Sequence, residues 1–118
     1  MKYYSLNKTA PIADFKEATI RGLAPDKGLY FPEYIPKQDS KFFEEIENYS
    51  DEEIAFKIIH PYVGDAIPEN ELKRIVAKTI NFEIPLKKVS ENIFSLELFH
   101  GPTLAFKDIG ARFMSRCL

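Results

Sequence analysis

The spacing of the apolar residues changes near residue 82, and this change limits the folds open to the chain. Before that point, apolar residues recur every three or four positions, as in "IPENELKRIVAKTI", residues 67–80. That period is typical of an amphipathic helix with one buried face. From residue 82 onward, "FEIPLKKVSENIFSLELF" alternates apolar and polar residues over short runs, which is typical of β-strands. We therefore predict a helical part followed by a β-containing part.

The first third of the chain predicts short strands around one helix. "KYYSLN" is rich in aromatic residues and indicates a strand. "ADFKEATIRGL" predicts a helix, with Asp14 as its N-cap, Glu17 completing a capping box and Gly22 as a left-handed stop. "APDKG" then predicts a turn and "LYF", residues 29–31, a short strand.

Three further helices are predicted between residues 40 and 80. "SKFFEEIENY" forms the first. "SDEEIAFKIIHPYV" opens with the capping-box pair Ser50 and Glu53, and Pro61 is expected to end it. The third begins at Pro68, a residue favoured at helix starts. The residues expected to face inward are Phe42, Phe43, Ile46, Ile54, Ile58, Ile59, Leu72, Ile75, Val76 and Ile80.

The last part predicts two strands, a turn at residues 90–92, a Gly-Pro turn and a final helix. The predicted fold class is α/β: a helix-rich α+β domain over residues 1–82, then the first β-β-α elements of a larger α/β domain over residues 83–118. "DIGARFMSRCL" lacks a capping glycine or a proline stop and ends on apolar Leu118. We therefore expect this chain to be the front part of a longer protein.

The composition narrows the function classes. Hydrophobic residues make up 45% and charged residues 29% of the chain, which fits a soluble globular protein. A net charge of −2 favours neither a nucleic acid nor an anionic membrane as partner. No apolar run is long enough to span a bilayer and no signal peptide is visible, so we expect a cytoplasmic protein. Cys117, the one cysteine, predicts neither a disulfide nor a metal site.

Lys107 is the candidate catalytic residue. It lies in the apolar window "LFHGPTLAFKDIGARFM", just after a Gly-Pro-Thr turn. We expect Thr103 to cap the last helix, so that Lys107 lies at the positive end of the helix dipole. That position, with burial among Leu104, Phe106 and Ile109, disfavours the ammonium form. A neutral amine is the form that attacks a carbonyl group, although an ordinary solvated lysine also fits these residues.

Other polar residues have plainer interpretations. His100 contacts either a ligand near Lys107 or the backbone of its own turn. His60 is expected to be a charge at a helix C-terminus. Arg112 and Arg116 are expected to pair with acidic residues on the helix surface, with attraction of a substrate phosphate as the alternative. For Arg112 the acidic partner is Asp108, four residues earlier.

Two segments carry a resemblance to a known family. "ELFHGPTLAFKDIGARFM" resembles the cofactor-lysine segment of threonine synthases, which are pyridoxal-phosphate enzymes of the tryptophan-synthase-β-like fold (fold type II). "FKEATIRGLAPDKGLYFPE" resembles the opening signature of the same enzymes. The two motifs occur in the family's order, and the resemblance covers nearly all of this chain but only the opening part of the family's length.

The resemblance implies that Lys107 is both the cofactor-binding and the catalytic residue. It would hold pyridoxal 5'-phosphate covalently and carry protons during the conversion of O-phospho-L-homoserine and water to L-threonine and phosphate. The implied substrate is a small molecule and no metal is implied. Homodimerisation is expected above all for a truncated chain.

The chain departs from the family in two respects. Lys27 stands where the family usually has a glycine, and a positive φ at this position would cost about 1 kcal/mol. The phosphate-binding loop and the ring-contacting residues of the family lie downstream of Leu118. We therefore expect this chain alone to be inactive and to bind the cofactor weakly at most. The alternatives are another fold type II lyase or dehydratase, or a non-catalytic interaction module whose last helix docks a partner.

Overall fold

Five α-helices and four short strands make up the structure, a computed structural model that describes residues 1–118. In chain order they are β1 (Tyr3–Ser5), α1 (Phe15–Arg21), β2 (Tyr30–Pro32), α2 (Ser40–Glu44), α3 (Asp51–Val63), α4 (Glu69–Thr79), β3 (Leu86–Ser90), β4 (Ile93–Leu96) and α5 (Lys107–Cys117). The helix-rich first part and the β-β-α order of the last part confirm the predicted α/β class. None of the helices has the length and apolar character needed to cross a membrane.

The strands form two separate antiparallel pairs. β1 pairs with β2, joining Tyr3 with Pro32, Tyr4 with Phe31 and Ser5 with Tyr30. β3 and β4 form the predicted hairpin, turning at residues 91 and 92, with an irregularity between Lys88 and Ser90. Every residue of the hairpin strands is exposed, so this hairpin is held by its own backbone pairing.

The hydrophobic core lies between α3, α4 and α5. Its fully enclosed residues are Val63, Leu72 and Val76, with Phe15, Ala55, Phe56, Ile59, Ile67 and Phe113 packed around them. Phe113 belongs to α5, so the last helix packs on the helical part of the chain although the β-hairpin precedes it in sequence. The division at residue 82 stays a prediction, because this packing joins both sides of it.

The predicted caps explain where α1 and α3 begin. Asp14 Oδ1 accepts a hydrogen bond from Glu17 N at 2.7 Å. The Glu17 carboxylate instead pairs with Arg21 at 3.0 Å, so the predicted capping box of α1 is not completed. In α3 the box is complete, since Glu53 N donates to Ser50 Oγ and Ser50 N donates to Glu53 Oε2.

Pro61 does not end α3, contrary to the prediction. The helix continues to Val63 and stops at Gly64, whose φ of 57° is left-handed. Proline removes one intrahelical hydrogen bond. Tertiary contacts offset that loss, because Val63 is buried and the Tyr62 carbonyl accepts a hydrogen bond from Tyr3 Oη.

The predicted face of α2 is only partly correct. The helix ends at Glu44 and a 3₁₀ turn, Ile46–Asn48, follows it. Phe42 is buried, but Phe43 is 60% exposed. A five-residue helix is too short to hold one apolar stripe through residue 46. Of the stripe predicted for α3, Ile58 is exposed, whereas α4 buries Leu72, Ile75 and Val76 as expected.

The turn before β2 is organised around the carboxylate of Asp26. It accepts hydrogen bonds from Ser5 Oγ at 2.6 Å and Gly28 N at 3.0 Å. Thr9, through both its backbone and hydroxyl groups, and Ala10 N complete the set. The Ser5 hydrogen bond is the largest cause that holds the pKa of Asp26 well below its usual range. This carboxylate therefore ties β1 to the loop preceding β2.

Lys27, in the same turn, has a φ of 65°, so the condition considered for this position, where the family usually has a glycine, is met. A side chain in this region is strained, so we expect Lys27→Gly to raise the free energy of unfolding by about 1 kcal/mol. Urea denaturation of the parent and the variant measures this difference in the free energy of unfolding. Lys27→Ala is the control, since it removes the charge but keeps the strain. An equal gain from alanine would show that the charge, and not the backbone, was responsible.

Tyr3 joins β1 to the end of α3. This contact makes the stability of the folded chain sensitive to alkaline pH. Its hydroxyl donates to the Tyr62 carbonyl at 2.7 Å, and burial raises the pKa of Tyr3 from its ordinary 10.0 to about 12. The folded state therefore binds the phenolic proton more tightly. This contribution to stability is fully present below pH 10 and is lost as the pH rises through 12.

We expect Tyr3→Phe to lose about 1 kcal/mol of stability at neutral pH, the usual value of one hydrogen bond. The variant should also lose less stability than the parent between pH 10 and pH 12. Urea midpoints measured across this range test both statements. Tyr4→Phe is the control, because no hydrogen bond in the structure uses the Tyr4 hydroxyl. Equal alkaline losses in the parent and in Tyr3→Phe would contradict the assignment.

Candidate active site

The candidate site is the turn that leads from β4 into α5. Lys107 is the first residue of α5, so it lies at the positive end of the helix dipole as predicted. The segment before it, residues 97–106, contains no helix or strand. The strand–turn–helix order predicted around Lys107 is therefore confirmed.

The predicted burial of Lys107 is wrong. Lys107 is exposed, and its apolar neighbours Leu104 and Phe106 are 76% and 66% exposed. Of the three expected covering residues, Ile109 alone is half-buried. The reason is that α5 packs on the core through Phe113, near its other end. Within residues 1–118, the Lys107 side chain is therefore exposed.

The turn is fixed by Asp108 and not by a cap from Thr103. The residue preceding α5, Phe106, makes no capping bond. Thr103 donates twice to the buried Asp108 carboxylate, from Oγ1 at 2.5 Å and from its backbone N at 3.0 Å. The Thr103 hydroxyl is the largest cause that lowers the pKa of Asp108. An ionised carboxylate in the first turn also stabilises the helix dipole.

Gly101 makes this closed turn sterically possible. It is buried, and a Cβ at this position would lie 2.5 Å from Asp108 Oδ2. Leu104 N donates to the Gly101 carbonyl at 3.1 Å, and Leu104 itself has a left-handed φ of 56°. Such strain in a non-glycine residue persists where surrounding contacts hold it. The contacts of Asp108 do so here, one residue after Lys107.

The predicted ion pair between Asp108 and Arg112 is not formed. Arg112 Nη2 instead donates to the Lys78 carbonyl and to Asn81 Oδ1, each at 2.7 Å. Arg116 Nη1 donates to the Arg112 carbonyl at 2.8 Å. Neither arginine pairs with an acidic residue, since Arg112 binds carbonyl and amide oxygens at the end of α4 and Arg116 binds a carbonyl of its own helix.

His100 has a partner that the sequence did not indicate. Its Nε2 lies 2.7 Å from Glu97 Oε2, and its ring stacks on Phe99. The bond is to a side chain and not to the turn backbone, while contact with a ligand stays a prediction. The i, i+3 spacing of Glu97 and His100 was the available signal, but outside a helix that spacing does not predict contact.

The remaining candidates agree with their plainer interpretations. His60 lies in the last turn of α3, against the ring of Phe56. Cys117 is half-buried, and burial raises the pKa of its thiol, which disfavours the nucleophilic thiolate. No group of three or more His, Cys, Asp or Glu side chains is placed to hold a metal ion.

The site offers one accessible amine on a fixed turn. A primary amine can form a covalent bond with an aldehyde cofactor, and the side chain of Lys107 carries one. The five glycines, at positions 22, 28, 64, 101 and 110, lie apart, so residues 1–118 contain no glycine-rich phosphate loop.

Solved structures with this arrangement define its class. The chain superposes on the crystal structure of PLP-bound threonine synthase from Brucella melitensis with a TM-score of 0.92 and 37% identity, covering 98% of this chain and 26% of that one. The threonine synthase from Escherichia coli gives the same TM-score at 36% identity, covering all of this chain and 28% of that one. The fold is therefore that of a threonine-synthase-like α/β protein.

The sequence comparisons show the family. The family model described as "Threonine synthase N terminus" matches residues 2–80. The threonine synthase of Haemophilus influenzae is 40% identical over 118 residues, which is all of this chain and 27% of the relative. This chain belongs to the threonine synthase N-terminus family, and it spans about a quarter of the length of the curated relatives it matches.

Proposed function

We propose that this chain is the N-terminal part of a threonine synthase and supplies the lysine that holds pyridoxal 5'-phosphate. The proposed reaction converts O-phospho-L-homoserine and water to L-threonine and phosphate, which makes the whole protein a carbon–oxygen lyase. The observation that carries the proposal is Lys107, exposed at the first residue of α5 within a fold matching a PLP-bound threonine synthase.

The residues of this chain fit the covalent attachment of the cofactor. Lys107 Nζ would hold its aldehyde carbon, and the bound cofactor would supply an electron sink for carbanions next to it. Asp108 and Thr103 keep the backbone of Lys107 at a fixed place. A lysine that forms a bond with one particular carbon atom needs such a fixed position.

The same amine has a second task in the proposed reaction. When Nζ does not hold the cofactor, it takes a proton from one carbon of the substrate and returns it to another. The flexible four-carbon stem of a lysine suits that movement, because its tip can travel while its backbone stays fixed.

Three finer expectations belong to the same proposal. The protein is cytoplasmic, it has no nucleic-acid or membrane partner, and it self-associates as a homodimer. The 118-residue chain alone is expected to be inactive, because residues for the cofactor's phosphate and ring are expected in the remainder of a threonine synthase.

Reductive trapping of the native protein tests the proposal. The protein is purified from its source, incubated with pyridoxal phosphate, reduced with borohydride and mapped by peptide digestion. We expect the adduct on Lys107, in a protein that extends past Leu118. Recombinant Lys107→Arg should lose this adduct, while Lys88→Arg, a change of an exposed hairpin lysine, should keep it. An adduct elsewhere, or none, would reject the catalytic role and favour the interaction module.

A further inference from the structure

Arg112 joins the helix of Lys107 to the helical core, and it makes the hydrogen bonds of α5 that reach furthest along the sequence. Its Nη2 donates to the Lys78 carbonyl and to Asn81 Oδ1, 34 and 31 residues earlier. The guanidinium also lies over the ring of Phe82, 5.5 Å from its centre. Lys78 lies within the part that the family model matches, residues 2–80. Arg112 therefore connects the family-defining part of the chain to α5.

The contact supplies a hydrogen-bond donor to a carbonyl group at the C-terminal end of α4. The Lys78 carbonyl is among the last carbonyls of α4, which have no partner within the helix. A positive charge at this end is also favoured by the helix dipole. Arg112 thus caps the C-terminus of α4 from the neighbouring helix. One planar group reaches two acceptors and an aromatic face, which the point charge of a lysine does less well.

We propose that Arg112 is a positioning residue for Lys107, which rests on the proposed function of Lys107. The two residues lie five positions apart on α5, within an uninterrupted helix. Helical hydrogen bonds set the spacing between these two residues, so holding Arg112 against α4 restricts where the backbone of Lys107 can lie. Phe113, the next residue, packs into the core and supports the same placement. The helical core thereby sets the location of the reactive amine.

The test uses variants of the full-length native protein that carries this chain. Arg112→Gln removes the charge and the double contact, and Asn81→Ala removes one acceptor while leaving Arg112 in place. Arg116→Gln is the matched control, since Arg116 lies one turn further along α5 and its hydrogen bond goes only to the Arg112 carbonyl. Arg112→Lys tests for partial rescue by a conservative change.

Two readouts separate positioning from general loss of structure. In amide hydrogen exchange, Arg112→Gln should speed exchange in α5 about tenfold while exchange in α3 stays unchanged. The rate of borohydride trapping on Lys107, at limiting pyridoxal phosphate, should fall about tenfold. Asn81→Ala should give a smaller change of the same kind, Arg112→Lys should lie between parent and Arg112→Gln, and Arg116→Gln should match the parent.

The outcomes distinguish this proposal from the proposed function. If the parent protein forms no adduct on Lys107, the proposed function fails and the positioning role fails with it, whatever α5 does. If the adduct forms but α5 exchange or Lys107 trapping in Arg112→Gln equals the parent, the positioning role alone is rejected. Equal effects from Arg116→Gln, or equal acceleration in α3, would also reject it.

Discussion

Replacing Gly101 by alanine is expected to destabilise the turn before Lys107 by about 1–3 kcal/mol, the usual cost of adding a methyl group to a packed site. The new Cβ would lie 2.5 Å from Asp108 Oδ2, 2.8 Å from its Cβ and 2.9 Å from its Cγ. Asp108 cannot yield without losing both hydrogen bonds from Thr103. The substitution therefore disturbs the residue next to Lys107 directly.

The change should appear in two measurements. Amide exchange in residues 101–108 should accelerate, and trapping of pyridoxal phosphate on Lys107 in the full-length protein should fall. Gly110→Ala is the control, since a Cβ there meets no atom within 4 Å in an exposed part of α5. It should stabilise the helix by roughly 0.5–1 kcal/mol. If Gly101→Ala left both measurements unchanged, the close approach of Gly101 and Asp108 would not matter for the lysine.

Replacing Gly28 by alanine is expected to have the larger effect on stability, about 3 kcal/mol. A Cβ at this position would lie 2.0 Å from the hydroxyl of Ser5, which is fully buried. It would also lie 3.1 Å from Asp26 Oδ1, the atom that Ser5 donates to. Relief of the overlap thus requires either the Ser5 hydroxyl to rotate away and lose its hydrogen bond to Asp26, or β1 or the Asp26 turn to move.

A double-mutant cycle in urea separates the steric effect from the lost hydrogen bond. Ser5→Ala removes the oxygen that the new methyl group would overlap. In the double variant, Gly28→Ala should therefore destabilise much less than it does in the parent. If the two effects simply added, the overlap would not be the cause, and a change in the unfolded state would explain the loss better.

Local patterns in the sequence predicted most of the helices and the hairpin. The stripe of Leu72, Ile75 and Val76 gave α4 its buried face, and Ser50 with Glu53 gave the start of α3. These signals act within one or two turns, so they do not depend on what packs nearby. The left-handed φ of Lys27 did not come from such a pattern, since only the resemblance to the family, which usually has a glycine there, pointed to it.

Several errors arose where a contact outside the expected spacing competes with a local rule. Pro61 was expected to end α3, but the helix continues to Val63, whose burial stabilises it. Arg112 was expected to pair with Asp108 along α5. Each has a better partner outside that spacing: Thr103 for Asp108, and the end of α4 for Arg112. Local spacing cannot rank such partners, since the approach of α4 to α5 depends on the whole fold.

The exposure of Lys107 has a similar origin. The sequence places apolar residues around it, and apolar neighbours usually indicate burial. In this structure Leu104 and Phe106 face outward, because the core receives α5 through Phe113. Which of several apolar residues in one segment turns inward is decided by tertiary packing, and no periodicity within residues 98–107 decides it.

The contacts of Tyr3 have a consequence for the order of events during synthesis. β1 leaves the ribosome well before its partners, because Tyr3 pairs with Pro32 and bonds to the carbonyl of Tyr62, 59 residues later. At a translation rate of about 5–20 residues per second, roughly 3–12 s pass between the synthesis of Tyr3 and that of Tyr62. During that interval, its apolar aromatic neighbours are not yet covered by later parts of the chain. The nascent chain is therefore most open to chaperones, and to mispairing, before residue 62 emerges.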